Sequence, residues 1–315
     1  MRSAARGTRH LEAAHNGKTI RVPVTETCGS DGPTLAIVGG VHGAEYAGIE
    51  AVRRISAELD STVLRGRVVT VPCLNVPAFY GFAAHVNPID GENPARAFPG
   101  SASGSYTERM VHLVWSEILA GADYIVDVHG GDLEEELVDY SQINLNGDAR
   151  HDDAAAGLAR ALDMPFFVRR AAPPEPVTAE GTICQIASAN GIPAVLAEAG
   201  SHADLDETSV VAHLRGLRNV LRHLKMIPGD PELRHPEPLV MYGFAGVAAP
   251  LDGAWYPRVS KGDVVTKGEA VGEMRDFFGA PLATVFSEVN AAVLGVMTVP
   301  PRRRGEMLLG LGTLD

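Results

Sequence analysis

Between residues 33 and 55 the chain passes from a short apolar run, Leu35-Ala36-Ile37-Val38, through a glycine-rich turn into a segment where Ile49, Val52 and Ile55 recur every three residues. An unbroken apolar run bounded by turn residues reads as a strand buried on both faces, and the recurrence reads as a helix with one apolar stripe, so an α/β unit is expected here. Apolar runs at residues 68–74, 124–128 and 192–196 predict further buried strands, with helical periodicity over 107–119 and 154–162 between them. Strands that alternate with helices imply a mixed, largely parallel sheet covered by helices. The last periodic segment, 205–224, carries Val210, Leu214, Leu217, Val220 and Leu221 on one side and stops before Pro228-Gly229-Asp230-Pro231.

Beyond residue 238 the pattern changes. Short apolar stretches are separated by turns at Asp252-Gly253, Lys261-Gly262-Asp263 and Lys267-Gly268, and no helical period persists. The expected organisation is an α/β catalytic domain over 1–228, a linker over 229–238 and a small all-β domain over 239–315. Turns of this kind also occur in biotinyl and lipoyl carrier domains, but the hairpin tip Arg275-Asp276-Phe277-Phe278-Gly279 offers no lysine to modify, which argues against a carrier.

Composition narrows the function classes. A formal charge of −12 over 315 residues repels polyphosphate and anionic lipid alike, so neither nucleic acid nor a membrane is an expected partner. No apolar run follows the basic residues near the N-terminus, so a signal peptide is not expected and a cytoplasmic location is. Three cysteines, Cys28, Cys73 and Cys184, lack CxxC spacing, which points away from a disulfide framework and from thiolate metal ligation.

The candidate chemistry lies at equivalent places in the pattern. His42 and Glu45 follow the first strand, His129 follows the 124–128 strand, and Glu198 ends the 192–196 strand. In a parallel sheet those ends face one crevice. Two histidines and a carboxylate form a recognised catalytic zinc set that leaves a fourth position open, where water has its pKa lowered to about 7. A second carboxylate, for which Glu198 is placed, then takes the water's proton and passes it to a leaving amine. Asp127, on the same strand face as His129, either orients a ligand histidine from behind or is a strand-end carboxylate bonded to backbone.

The stretch Gly39-Gly40-Val41-His42-Gly43-Ala44-Glu45 resembles the zinc-binding motif of the succinylglutamate desuccinylase and aspartoacylase family, relatives of the zinc carboxypeptidases. The likeness continues in order through Asn75-Val76-Pro77-Ala78, Asn87-Pro88-Ile89-Asp90-Gly91, Arg96-Ala97-Phe98-Pro99-Gly100, Asp127-Val128-His129-Gly130-Gly131-Asp132 and Glu198-Ala199-Gly200. It implies a zinc carboxypeptidase-like fold followed by a small β-barrel domain, and one zinc per chain held by His42, Glu45 and His129 with Glu198 catalytic. It also implies a small-molecule N-acyl amine or amino acid as substrate. Relatives of this kind often associate, so a homo-oligomer is expected without an interface being named.

Two positions depart from the family pattern. His85 stands where relatives carry an arginine that polarises the scissile carbonyl, and Ala95-Arg96 stands for an Asn-Arg pair that grips a substrate carboxylate. Arg96 keeps the planar fork suited to a carboxylate, with Asn93 beside it as a second substrate-binding candidate. His85 either donates a hydrogen bond to the developing oxyanion or is a loop residue without a role. The expected reaction is hydrolysis of an N-acyl amino acid. The departures leave open a carboxypeptidase-like or other small-amide substrate, or a metal-binding relative without turnover. Glu134-Glu135-Glu136 and Arg302-Arg303-Arg304 read as solvated charged faces.

Overall fold

The computed structural model describes residues 5–171 and 180–314. The chain opens with a long hairpin, β1 (Ala5–His15) and β2 (Lys18–Cys28), then β3 (Ser30–Gly39), α1 (Tyr46–Glu58), β4 (Arg65–Val71), α2 (Val76–Gly81), α3 (Tyr106–Glu117) and β5 (Tyr124–His129). Next come β6 (Glu135–Leu137), β7 (Tyr140–Asn144), α4 (Ala149–Leu162), β8 (Phe166–Arg170), α5 (Ile183–Ala189), β9 (Ala194–Glu198), α6 (Glu207–His223) and β10 (Leu239–Met241). The remainder is strand only: β11 (Gly243–Ala248), β12 (Gly253–Pro257), β13 (Val264–Val265), β14 (Ala270–Arg275), β15 (Pro281–Phe286), β16 (Ala291–Met297), β17 (Pro301–Arg302) and β18 (Met307–Thr313).

Nine strands form the central sheet in the order β1-β2-β4-β3-β5-β9-β7-β8-β10. Its middle is parallel, β4 to β3 to β5 to β9, while the β1–β2 hairpin, the β2–β4 pair and the β9–β7 pair are antiparallel. The strand pleat divides the buried side chains between two layers. Ala36, Val38 and Ile125 face one core with α3 and α5, and Leu35, Ile37, Val126 and Val128 face the other with α1, α4 and α6. Helix ends follow local rules: Ser105 and Glu108 close a capping box on α3, and Asp206 caps α6 through Ser209 N–H.

Where the sequence expectation stops short, the cause is visible. The β1–β2 hairpin is absent from the periodicity reading: β1 is exposed along most of its length and carries no apolar signal, while the alternation of buried Ile20, Val22 and Val24 in β2 is the signal that marks it. The runs read as strands at 68–74 and 192–196 are displaced to 65–71 and 194–198, since Cys73 and Leu74 beyond the first are buried turn residues and the apolar Ile192 and Pro193 ahead of the second are half-buried loop.

The C-terminal β domain is built as two antiparallel sheets, β11-β18-β16-β13 and β15-β14-β12-β17, around a core of its own that includes Trp255, Val271 and Leu309. Two strands cross between the regions. Leu239–Met241 of β10, on the far side of residues 229–238, pairs with β8 in the central sheet, and Glu135–Leu137 of β6 pairs with β16 in the C-terminal one. Among the described residues no helix is long and apolar enough to cross a membrane.

Candidate active site

β3 ends on Gly39, and Gly40 takes a positive φ of 61° that a side chain would oppose, so the chain turns sharply before α1. Backbone bonds from Leu74 N–H to Gly39 O and from Asn75 N–H to Gly40 O pin that turn to the segment after β4. Gly43 sits against α2, where any Cβ would lie 2.3 Å from Phe79 N. Glu45 occupies the position ahead of α1 but makes no side-chain cap. Its carboxylate is turned away from the helix, toward the sheet.

There it meets both histidines. His42 Nδ1 lies 2.6 Å from Glu45 Oε1, and His129 Nδ1 lies 3.0 Å from Glu45 Oε2. Behind each ring is an acceptor: Asn93 Oδ1 at 3.1 Å from His42 Nε2, and Asp127 Oδ1 at 3.1 Å from His129 Nε2. Asn93 so placed holds the proton on His42 Nε2. The Asp127 charge, in ion-pair reach of His129 Nε2 though not aligned for a hydrogen bond, favours a proton there, so each ring turns Nδ1 to the carboxylate. Two lone pairs and a carboxylate then converge on one point, an arrangement that requires a shared cation, either protons or a metal ion. Their ligand atoms all lie within 4.8 Å of one another. Glu45 Oε2, although 3.0 Å from His129 Nδ1, is buried with no well-directed hydrogen bond, a need that a cation shared with the ring would meet. The nitrogen-nitrogen-oxygen donor set fits zinc.

The electrostatics agree. Burial alone would raise the Glu45 pKa, yet His129 and His42 on either side hold it down at about 2. Burial works against protonation of His129, but Asp127 and Glu45 push its pKa well above the usual histidine value.

Glu198 is the direct neighbour of His129 across the β5–β9 ladder and of Tyr140 across β9–β7, so the three residues form one row at the strand ends in the middle of the sheet. Its Oε2 is buried and unpartnered. Burial raises the Glu198 pKa well above the usual carboxylate range; His129 opposes this, while Glu45, Glu135 and Asp127 add to it. A carboxyl in that state is suited to carry a proton between two partners.

These residues open onto a cavity of about 1020 Å³ roofed by the C-terminal sheets. Arg96 lines it, with Nη1 donating to the Ala95 carbonyl at 3.1 Å and no carboxylate in ion-pair reach among the described residues. Arg170, from the end of β8, joins it, and its pKa is lowered by burial and by the charge of Arg96. His85 stands edge-on to His42 with ring centroids 5.2 Å apart, and its backbone N–H donates to Asp132 Oδ2 at 2.7 Å. Burial and the nearby His42 lower its pKa. Asn93 lines the cavity too, but its Oδ1 is taken by His42 and by the Ala95 N–H.

The two charge runs read as solvated faces are so only in part: Arg303 and Arg304 are exposed, whereas Arg302 and the three glutamates are not. Glu134 and Glu135 line the cavity, and Arg302 is buried with Nη1 2.9 Å from Glu134 Oε2. Glu134 and Arg302 meet at the junction between the sheets, where charges of opposite sign from distant parts of the chain are brought together. Tyr140, Gln142 and Arg170 also line the cavity and escaped the sequence reading. Polar residues alternating at 140, 142 and 144 in an otherwise buried strand were the available signal.

Comparison with known proteins bears on all of this. Residues 31–224 match the family model of the succinylglutamate desuccinylase/aspartoacylase catalytic domain. The N-alpha-acetyl-L-2,4-diaminobutyric acid deacetylase of Halomonas elongata is 28% identical over 271 residues, covering 84% of this chain and 77% of that protein. A solved succinylglutamate desuccinylase/aspartoacylase from Rhodobacter sphaeroides superposes with a TM-score of 0.85 at 25% identity, over 98% of this chain and 95% of that one. The apo structure of the ectoine utilization protein EutE (DoeB) from Ruegeria pomeroyi does so with a TM-score of 0.81 at 25% identity, over 99% and 96%.

Proposed function

Because this chain belongs to the succinylglutamate desuccinylase/aspartoacylase family, we propose that it is a zinc-dependent deacylase that hydrolyses the amide bond of a small N-acyl amino acid. The observation that carries this reading is the convergence of His42 Nδ1, His129 Nδ1 and the Glu45 carboxylate on one point, with Glu198 beside them. The Halomonas elongata relative, named as a deacetylase of an N-acetyl diamino acid, supports the same reaction class.

Zinc bound by His42, Glu45 and His129 supplies a Lewis acid for the scissile carbonyl and lowers the pKa of water. Glu198 accepts the proton of the attacking water and returns it to the nitrogen of the breaking amide, so that a carboxylate and a free amine leave. Asn93 and Asp127 keep the two ligand rings in the required tautomer. Arg96 and Arg170 take the substrate carboxylate, relieving the repulsion between their own charges. His85, beside His42, donates a hydrogen bond to the oxyanion.

The test is a panel of N-acetyl, N-succinyl and longer N-acyl amino acids, with and without chelator, read by mass spectrometry. Glu198→Gln is expected to keep zinc and lose turnover by roughly 100-fold or more, and His129→Ala to lose zinc. Full turnover in Glu198→Gln overturns the mechanism.

A further inference from the structure

The two sides of the sheet that roofs the cavity are built differently. In β11, β18 and β16 the side turned to the C-terminal region's own core carries Ala245, Val247, Leu309, Leu311 and Val293. The opposite side carries glycine: Gly246 stands beside Gly310 and Gly310 beside Gly295, on three neighbouring strands, with Leu137 of β6 next in the row. Gly295, Gly310 and Leu137 line the cavity. The missing side chains let two neighbours lie flat on the sheet. A Cβ on Gly310 would meet Phe244 Cζ at 3.1 Å, and one on Gly295 would meet Leu137 Cδ2 at 2.6 Å. The roof therefore presents a furrow paved by an aromatic ring and a leucine, and Leu294, Met297 and Met307 line the cavity with them.

This furrow is one wall of the cavity whose floor holds Glu45 and Glu198, each with a buried oxygen that has no well-directed hydrogen bond. The cations that share the cavity do not fill the furrow with free charge. Arg302 is taken by Glu134 and Arg275 by Glu273, while Arg303 and Glu306 are exposed around the turn after β17. Glu135, two residues from Leu137, has its carboxyl pushed up to about 7, chiefly by burial. The space is also large: about 1020 Å³ stands at the top of the ~300–1,000 Å³ range that takes drug-sized ligands, and an acetylated amino acid fills a small part of it. On the reading above, Arg96 and Arg170 of the central region take the carboxylate. The amine half of the substrate then rests on the floor, and the acyl half faces the roof.

We propose that the glycine-backed furrow is an acyl subsite, so that the preferred substrate is an N-acyl amino acid whose acyl group is apolar and several carbons longer than acetyl. The proposal rests on the deacylase reading for its reaction and deepens it by naming the acyl group selected. Each methylene laid against Phe244 and Leu137 leaves water for an apolar surface, a contact that acetyl is too short to make. A succinyl group of comparable length sets its terminal carboxylate against the same wall, where desolvation counts against it.

The experiment measures kcat/KM of the zinc-loaded full chain on the N-acetyl, N-hexanoyl and N-succinyl derivatives of the amino acid best cleaved in the panel above. The hexanoyl compound is expected to lead the acetyl one by roughly 10- to 100-fold, with the succinyl compound behind the hexanoyl. Two variants then test the furrow. Gly310→Ala drives the Phe244 ring off the sheet into the furrow, and Met307→Lys, at a position 40% exposed, sets a charge in the same lining. In each, the hexanoyl-to-acetyl ratio is expected to fall by roughly fivefold or more, chiefly through KM. A ratio taken within one preparation does not depend on the folded fraction, so partial unfolding cannot imitate that result. A wild-type ratio near one, a lead for the succinyl compound, or a ratio that survives both variants overturns the proposal. If the panel shows no hydrolysis, the deacylase reading fails separately. Calorimetric binding of N-hexanoyl-L-alanine against N-acetyl-L-alanine then decides the role of the furrow, and equal affinity overturns it.

Discussion

At the residue scale, the candidate centre is organised by what stands behind each ligand. A histidine can offer either ring nitrogen, and the neighbour of the other nitrogen decides which. Asp127 Oδ1, 3.1 Å from His129 Nε2 and buried, is such a neighbour. Asp127→Ala is expected to leave the fold intact and weaken zinc by roughly 10- to 100-fold, measured by competition with a chromogenic chelator. An unchanged affinity would reduce Asp127 to a buried strand-end carboxylate. The same scale shows what a sequence exposes and what it hides. His42, Glu45, His129 and Glu198 stood out because each follows a recognisable apolar strand. Glu135, Tyr140 and Arg170 did not, because a charged or aromatic side chain in a short strand looks the same whether it faces a cavity or water. Glu134 and Arg302 were read as solvated for that reason, though they pair across 168 positions.

At the element scale, the turn between β3 and α1 and the short helix α2 form one packed unit. Gly43 allows α2 to approach so closely that a Cβ would lie 2.3 Å from Phe79 N and 2.7 Å from Ala78 C. Gly43→Val is expected to destabilise the protein by about 1–3 kcal/mol, and because it moves the turn carrying His42 and Glu45, zinc should be lost with it. Thermal denaturation with parallel metal analysis distinguishes this from a purely local change, in which stability would fall and zinc would stay. The buried parallel strands were legible because their apolar runs are uninterrupted. In the β1–β2 hairpin only β2 is legible, through alternating Ile20, Val22 and Val24, since exposed β1 alternates little and is stabilised by pairing with β2 over its whole length.

For the molecule as a whole, the C-terminal sheets close the cavity that the central sheet opens. The ion pair of Glu134 with Arg302 joins the two regions, and the Arg302 side chain is only 5% exposed. Removing one partner of a largely buried pair leaves an uncompensated charge. Glu134→Ala is expected to cost about 3 kcal/mol in chemical denaturation and to raise KM while zinc content stays constant. A loss of zinc would place the damage in the central sheet instead. The change of composition near residue 238 signalled the all-β region, but not the strands that cross the junction, since β6 and β10 have three residues each and no periodicity can be read from so few.

That crossing makes the roof and the lock a single fitting. Because β6 is stitched into the C-terminal sheet with Glu135 opposite Met297, a C-terminal region transplanted from a relative would inherit the hinge side of the fitting without its bolt. Residues 135–137 would have to travel with it for the C-terminal sheet to close over the cavity in the same register.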